Sequence, residues 1–286
     1  MYKLTLKKLK FLLPVALLAL GYHLFFKSEV FNRYRYVYYL AENKQIDQLS
    51  DEEILQDMAI LIPSCDAYSE LWDINIKSLL KYWPGLTNKY SFIPIYLMSN
   101  HESFGNPRVM NLKLGEDVSW SDNMINALSQ IDKKYILIVR DDYIMNGAVD
   151  EKRFIELYRI FLRYNAPYMN FVGHPDVYYD GPMLLDDVMI KNRVGHYRNN
   201  TQISIWQKKD LLSVLKSGES AWDFEIRGNF RTKSFLRPFL WPTGNFPFTY
   251  LNAVDKRKYN RGVVEQINRS GYEFHPKKLP YNDVKE

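Results

Sequence analysis

The chain has 286 residues, 47% of them apolar and 25% charged, values ordinary for a globular protein and sufficient for a sizeable core. Net charge is +5, with Lys3, Lys7, Lys8, Lys10, Lys27, Arg33 and Arg35 all in the first 35 residues; the rest of the chain is close to neutral, which argues against nucleic acid as a partner. One cysteine, Cys65, excludes an intramolecular disulfide, and its place beside an apolar run predicts a buried structural thiol.

The first element is FLLPVALLALGYHLFF, residues 11–26, apolar apart from His23 and preceded by lysines. It is shorter than the roughly 20 residues of a usual spanning helix. An uncleaved anchor, a signal peptide cut near Ala19-Leu20-Gly21, a helix lying in the membrane interface and a buried core helix all accommodate it. The anchor reading is favoured, because the basic, tyrosine-rich NRYRYVYYL immediately after it suits a headgroup layer. The expected division is residues 1–42 as membrane anchor and juxtamembrane segment, and 43–286 as the folded domain.

DMAILIPSC, 57–65, reads as a buried strand. A helix runs through AYSELWDINIKSLLKYWPG and stops at Pro84-Gly85. SFIPIYLMS, 91–99, is a second strand. WSDNMINALSQI, 120–131, is a helix with Ser121 or Asp122 as candidate cap. YILIVR is a third strand, succeeded by a helix over about 151–164 and the run YMNFVG, 168–173. Residues 174–200 read as irregular, with Asp186-Asp187 as a solvated acidic pair. TQISIWQ, 201–207, alternates like a strand, and KKDLLSVLKSGES, 208–220, ends a short helix at Gly218. Strands alternating with helices give an α/β fold with a largely parallel sheet. Ligands in such sheets sit beyond the carboxyl ends of the strands. Ser64-Cys65-Asp66, Ser99-Asn100 and Arg140-Asp141-Asp142 therefore point to one crevice.

The third strand, in KKYILIVRDDYIMNG, delivers two adjacent carboxylates at its tip. Such a pair repels unless a cation or a proton sits between them. A second acidic group, Glu219, Asp223 and Glu225, crowds the start of a helix in SAWDFEIRG that Ser220 can cap. The helix dipole alone favours acids there; a positioned general base is the functional reading. There is no GxGxxG after the first strand and no GxxxxGK[ST], so dinucleotide and P-loop readings lose their support. No histidine pair has metal-ligand spacing, and no GxSxG elbow is present.

Taken in order, PSCDAY, WSDN, DDY, TQISIW and AWDFE resemble the GT-A glycosyltransferases, in particular the bacterial type of lipopolysaccharide and capsular polysaccharide synthesis, over about residues 57–275. The resemblance implies a Rossmann-like sheet that binds a nucleotide-diphospho-sugar across the first strand ends. It implies that Asp66, with Tyr68 beside it, contacts the nucleoside and that Asp122 faces the nucleotide. Asp141 and Asp142 would hold a divalent cation, Mn²⁺ or Mg²⁺, on the diphosphate. Asp223 and Glu225 match the acids among which inverting members keep their catalytic base, the role expected here of Glu225, with Glu219 beside them as a substrate contact. VDKRKYNRG, 254–262, is similar to the basic segment that closes over the phosphates. The implied reaction moves a sugar to a hydroxyl of a glycan or glycolipid acceptor, and the resemblance implies a domain that faces the cytosol, where activated sugars lie, in a bacterium, or a lumen in a eukaryotic or viral setting.

One departure stands out. The family motif separates its two acids by one residue, which puts both on one face of a strand. Here they are adjacent and Arg140 holds the earlier position. Both reach one cation only if the chain turns at Asp142; otherwise one orients sugar or Arg140, or Arg140 itself contacts the diphosphate. A catalytically degenerate nucleotide-sugar-binding protein, a metal-dependent nucleotidyl- or phosphotransferase and a membrane-tethered interaction domain are the alternatives.

Overall fold

The structure, a computed structural model, describes Gly21, residues 38–173 and residues 180–282. Strand β1 (Met58–Ile62) is buried along its whole length. Its side chains alternate between two cores: Met58, Ile60 and Ile62 enter one, Ala59 and Leu61 the other. That is the pattern of a strand covered on both faces. Around it β2 (Ile95–Ser99), β3 (Val109–Lys113) and β4 (Tyr135–Ile138) lie parallel, in the order β3-β2-β1-β4.

Beyond β4 the sheet continues through β9 (Ser204–Gln207), β6 (Tyr168–Asn170), β10 (Phe239–Pro242), β8 (Val188–Ile190) and β7 (Met183–Leu185). Strand β9 runs antiparallel to both β4 and β6, and β8 antiparallel to both β10 and β7. Those two are reversed, and the other seven of the nine strands share one direction. The sheet is mostly parallel and flanked by helices, as the sequence predicts. Short strands β5 (Tyr143–Met145) and β11 (Tyr250–Asn252) pair separately, as do β12 (Val254–Asp255) and β13 (Lys258–Tyr259).

Helix α1 (Asp51–Leu55) opens the body with a Ser50/Glu53 capping box. Helices α2 (Ser69–Tyr82) and α4 (Glu151–Arg163) cover one face of the sheet. Trp83 sits fully buried there, edge-on to Phe154 at 4.8 Å and to Phe248 at 5.5 Å. Helices α3 (Trp120–Ser129) and α5 (Lys208–Val214) cover the other face with Trp206, Phe224 and Trp241. A third core joins α2 to the carboxyl-terminal residues through Leu71, Ile74, Tyr259, Val264 on α8 (Arg261–Arg269) and Phe274. Between them a late helix forms in three pieces: α6 (Ala221–Asp223), a π-helical turn Phe224–Gly228 and α7 (Asn229–Thr232).

Several local expectations are corrected. The cap of α3 is Ser119, whose extended backbone lets its hydroxyl accept the Asp122 N–H; Ser121 and Asp122 fall inside the first turn. Residues 183–190 form the β7–β8 hairpin inside the stretch read as irregular. Asp187 is not simply solvated: it pairs with the buried Arg153 guanidinium. The chain lies against the body from Tyr38 onward, the Tyr39 N–H donating to the Leu236 carbonyl (2.8 Å) and the Asn43 N–H to that of Arg163 (2.8 Å). Apart from Gly21, residues 11–26 lie outside the described residues, and among the described residues no helix is long and apolar enough to cross a membrane.

Candidate active site

The carboxyl ends of β1 and β4, neighbours in the sheet, open into a cavity of ≈680 Å³. Four segments line it: Pro63–Cys65 after β1, Asp117–Trp120 at the start of α3, Arg140–Asp142 after β4, and Gly218 with Ser220–Asp223 at the start of the late helix. Tyr68, Thr201, Lys256 and Arg257 also line it.

At the tip of β4 the apolar run ends and the chain turns. The Tyr143 N–H donates to the Arg140 carbonyl (3.2 Å). Asn75, buried on α2, donates its side-chain amide to the carbonyls of Arg140 (2.9 Å) and Tyr143 (2.8 Å) and so fixes that turn. The adjacent acids consequently do not point to opposite faces of an extended strand; both line the cavity.

Each acid has a different environment. The Arg140 guanidinium forks onto Asp142, Nε to Oδ1 at 2.9 Å and Nη2 to Oδ2 at 2.8 Å. It lies over the Tyr143 ring, 5.1 Å from its centroid, and Tyr143 stacks on Tyr250 at 3.8 Å. Asn252, its amide turned to satisfy both ends, donates to Asp142 Oδ2 at 3.2 Å. Asp141 accepts from the Ser64 hydroxyl (2.5 Å), which in turn accepts the Trp72 indole N–H (2.7 Å). Burial, then the Asp142 charge, push the Asp141 carboxyl up to about 7. Burial also raises Asp142, with Arg140 opposing it. One guanidinium thus compensates two buried carboxylates, and Asp141 is left where a proton or a cation stabilises it.

The late helix treats its acids differently. Ser220 and Asp223 form a capping box: the Ser220 hydroxyl accepts the Asp223 N–H (3.1 Å), and Asp223 Oδ2 accepts the Ser220 N–H (3.2 Å). The Ser220 hydroxyl and backbone hold the Asp223 carboxyl below the usual range, so it is ionised at neutral pH. Glu225 Oε1 accepts both the N–H and the hydroxyl of Thr201, each at 2.7 Å; Thr201 lines the cavity while Glu225 does not. Glu219, 3% exposed, is gripped by the Arg231 guanidinium, Nη1 to Oε1 at 2.9 Å and a second bond to Oε2. Of the three acids, only Asp223 reaches the cavity wall.

Two further sequence candidates serve as struts. Asp66 accepts the N–H groups of Asn100 (2.9 Å), His101 (3.0 Å) and Glu102 (3.2 Å). Burial would raise its carboxyl, but these donors outweigh it and hold it low. Asp66 thereby ties the end of β1 to the end of β2. Asp122 accepts the Ser119 hydroxyl (2.6 Å) and the Gly218 N–H (2.9 Å), joining α3 to the approach of the late helix. Neither lines the cavity. Tyr68 does, as does Cys65, which is half-buried rather than buried. Burial first, and then the Asp141 charge, push up both the Tyr68 phenol and the Cys65 thiol.

Sequence reasoning passed over Asp117, which lines the cavity and is held by the Asn123 amide at 2.6 Å. An acid three residues before a helix that opens on the crevice was the available signal. The basic run resolves into a hairpin in which Val254 pairs with Tyr259 and Asp255 with Lys258. Its two turn residues, Lys256 and Arg257, have φ of 48° and 62°. This is the left-handed region, where such two-residue turns favour glycine and asparagine. Two long cationic side chains hold it instead, and both line the cavity. The Ala253 N–H donates to the Asp142 carbonyl (2.8 Å), tying the base of this basic hairpin to the acidic tip.

The donor set admits a divalent cation in one mode. Among the described residues no cluster of three or more His, Cys, Asp or Glu exists to cage a metal. Asp141, destabilised as an anion and beside Asp142, suits a hard cation that takes its remaining ligands from substrate phosphates and water.

No protein-family model matches the chain, and no curated protein matches it. Solved structures do. UDP-glucose pyrophosphorylase, in a complex with UDP-glucose, superposes over 75% of this chain and 98% of its own at 9% identity and a TM-score of 0.50. TarS of S. aureus (residues 1–349) covers 67% of this chain and 59% of its own, at 11% identity and a TM-score of 0.42. The mannosyltransferase PcManGT of Pyrobaculum calidifontis, in complex with GDP-Man and Mn²⁺, covers 54% and 45%, at 6% identity and a TM-score of 0.38. At 9% identity the likeness to the pyrophosphorylase is one of fold alone, a GT-A-like arrangement of one mostly parallel sheet flanked by helices.

Proposed function

We propose that the chain is a glycosyltransferase that moves a sugar from a nucleotide-diphospho-sugar to a hydroxyl of a glycan or glycolipid, in cell-surface polysaccharide synthesis. The observation that carries this reading is the cavity at the carboxyl ends of β1 and β4. There a buried acidic tip and a strained cationic hairpin, bonded to each other through Asp142 and Ala253, line the same space. A nucleoside diphosphate needs both: cations for its phosphates and a partner for whatever counter-ion it carries.

Lys256 and Arg257 would contact the diphosphate. A divalent cation, Mn²⁺ or Mg²⁺, would be held by Asp141 and Asp142, and when bound would neutralise charge on the departing group. Arg140 fixes Asp142 and screens it from its neighbour. Asp223 is the favoured base: it is ionised, exposed to the cavity and locked by its capping box. Glu225 would support it by positioning Thr201. Direct displacement then inverts the anomeric centre. Residues 11–26 would keep the protein at a membrane, near a lipid-linked acceptor.

The likeness to UDP-glucose pyrophosphorylase favours one other reading, a nucleotidyltransferase. Product analysis separates the two. Incubation with sugar nucleotides and a lipid-linked or glycan acceptor should release a nucleoside diphosphate and give a product of inverted anomeric configuration. Release of pyrophosphate from a sugar phosphate and a nucleoside triphosphate would overturn the transferase reading. A retained configuration would overturn the role given to Asp223.

A further inference from the structure

The late helix carries an apolar stripe that its own fold does not cover. Trp222 is 62% exposed, Ile226 42% and Phe230 63%. They are four apart, which slightly overshoots one α-helical turn and falls short of one π-helical turn. The π-helical stretch Phe224–Gly228 in their midst therefore keeps all three on one face. The opposite face is the buried one: Phe224 enters the core and Glu225 bonds Thr201. Past the helix Leu236 is also exposed, and its carbonyl accepts the N–H of exposed Tyr39, which is followed by exposed Leu40. Six of the eleven exposed large apolar side chains among the described residues belong to this band. Isolated exposed apolar residues are ordinary; three large ones aligned on one helical face mark a contact surface.

We infer that this band is a docking surface for an anionic lipid bilayer. Three observations select lipid over a protein partner. The band ends at Tyr39, where the chain passes into RYRYVYY and then the apolar run 11–26, so it prolongs the segment with the composition of a membrane contact. Its flanks are cationic: Arg227 is largely exposed, with only a 3.4 Å contact to Asp223, and the Lys233 ammonium lies over the Phe230 ring at 4.0 Å. Aromatic rings with basic neighbours on one helical face are the composition of interfacial helices. Trp222 also lines the cavity, so a bilayer on this face would meet the cavity rim. That last point rests on the transferase reading and would suit a lipid-linked acceptor; the docking itself does not depend on turnover.

The test uses the full chain in a Cys65→Ser background, with folding checked by thermal melting. An environment-sensitive fluorophore is placed through Ile226→Cys, Phe230→Cys or, at the far edge of the sheet, Met110→Cys. Vesicles of phosphatidylglycerol and phosphatidylethanolamine should shift the emission at positions 226 and 230 to the blue. Acyl-brominated lipid should quench both and leave position 110 unchanged. Arg227→Gln should lower partitioning onto these vesicles about fivefold, from the roughly 1 kcal/mol a surface cation contributes. Three results would overturn the proposal: no co-sedimentation with vesicles, co-sedimentation with position 230 as wet as position 110, or a concentration-dependent blue shift at 230 without lipid, which would assign the band to a second copy of the chain.

Discussion

The two acidic walls of the cavity use the same residue types to opposite ends. At the tip of β4, two buried carboxylates share one guanidinium, and Asp141 is pushed up to about 7 by burial and its neighbour. On the late helix each acid has its own partner: Glu219 has Arg231, Glu225 has Thr201, and Asp223 has Ser220. The first wall is left short of positive charge, and the second is satisfied. A buried group left short is where a ligand gains most, whereas a satisfied group holds structure. Asp223 stands between these cases, since it is capped yet faces the cavity.

The largest expected effect breaks the second wall where it touches chemistry. Asp223→Asn should lower kcat by about 10²- to 10⁴-fold, the usual contribution of a general base, and leave nucleotide affinity within a few fold. Glu225→Gln should keep most of the turnover. Steady-state kinetics on both variants checks the assignment; a large loss in Glu225→Gln with Asp223→Asn near wild type would move the base to Glu225. Next comes the cationic hairpin. Lys256→Ala with Arg257→Ala should weaken nucleoside diphosphate binding by about 100-fold, if each contributes a charge-assisted bond, as read by calorimetry. Arg257→Gly should weaken binding yet raise the melting temperature, because glycine relieves a left-handed backbone that costs on the order of 1 kcal/mol.

The purely structural acid ranks third. Glu219→Ala removes the Arg231 guanidinium's carboxylate partner and should cost about 2 kcal/mol in denaturant unfolding.

The smallest effect is a pH dependence at the first wall. The folded Asp141 pKa lies above its unfolded value, so between about pH 4 and pH 7 the native state binds the extra proton. Stability from this group falls as pH rises through that window and is lost above it. Asp141→Asn should therefore stabilise the chain at pH 8 and have little effect near pH 4. Comparing variant with wild type removes the opposite trend of carboxylates such as Asp66 and Glu70, which are held low.

These contrasts mark what could be read from the chain alone. Strands β1, β2 and β4 were legible because burial on both faces leaves continuous apolar runs. The reversal of β9 between β4 and β6 was not, since an apolar pattern carries no direction. Strand β10 was missed because Pro238 and Pro242 bracket a run of three apolar residues, Phe239, Leu240 and Trp241, and β8 because Asp186-Asp187 and Lys191-Asn192 close around it. At the site, the turn that lets adjacent acids face one cavity depends on Asn75, more than sixty positions away. Whether an acid is satisfied is likewise decided by distant partners: Glu219 and Asp141 look equivalent in sequence, and only the fold gives one an arginine to itself.

The central claim is that the cavity binds a nucleoside diphosphate between the acidic tip and the cationic hairpin. The most direct measurement is the melting temperature of the full chain against a panel of nucleoside diphosphates and sugar nucleotides, with and without Mn²⁺. One nucleotide at about 100 times its dissociation constant should raise the melting temperature by about 5 °C or more. The shift should grow with Mn²⁺ and vanish in the Lys256→Ala, Arg257→Ala variant. No shift with any nucleotide, or a shift that survives the loss of both cations, would contradict it.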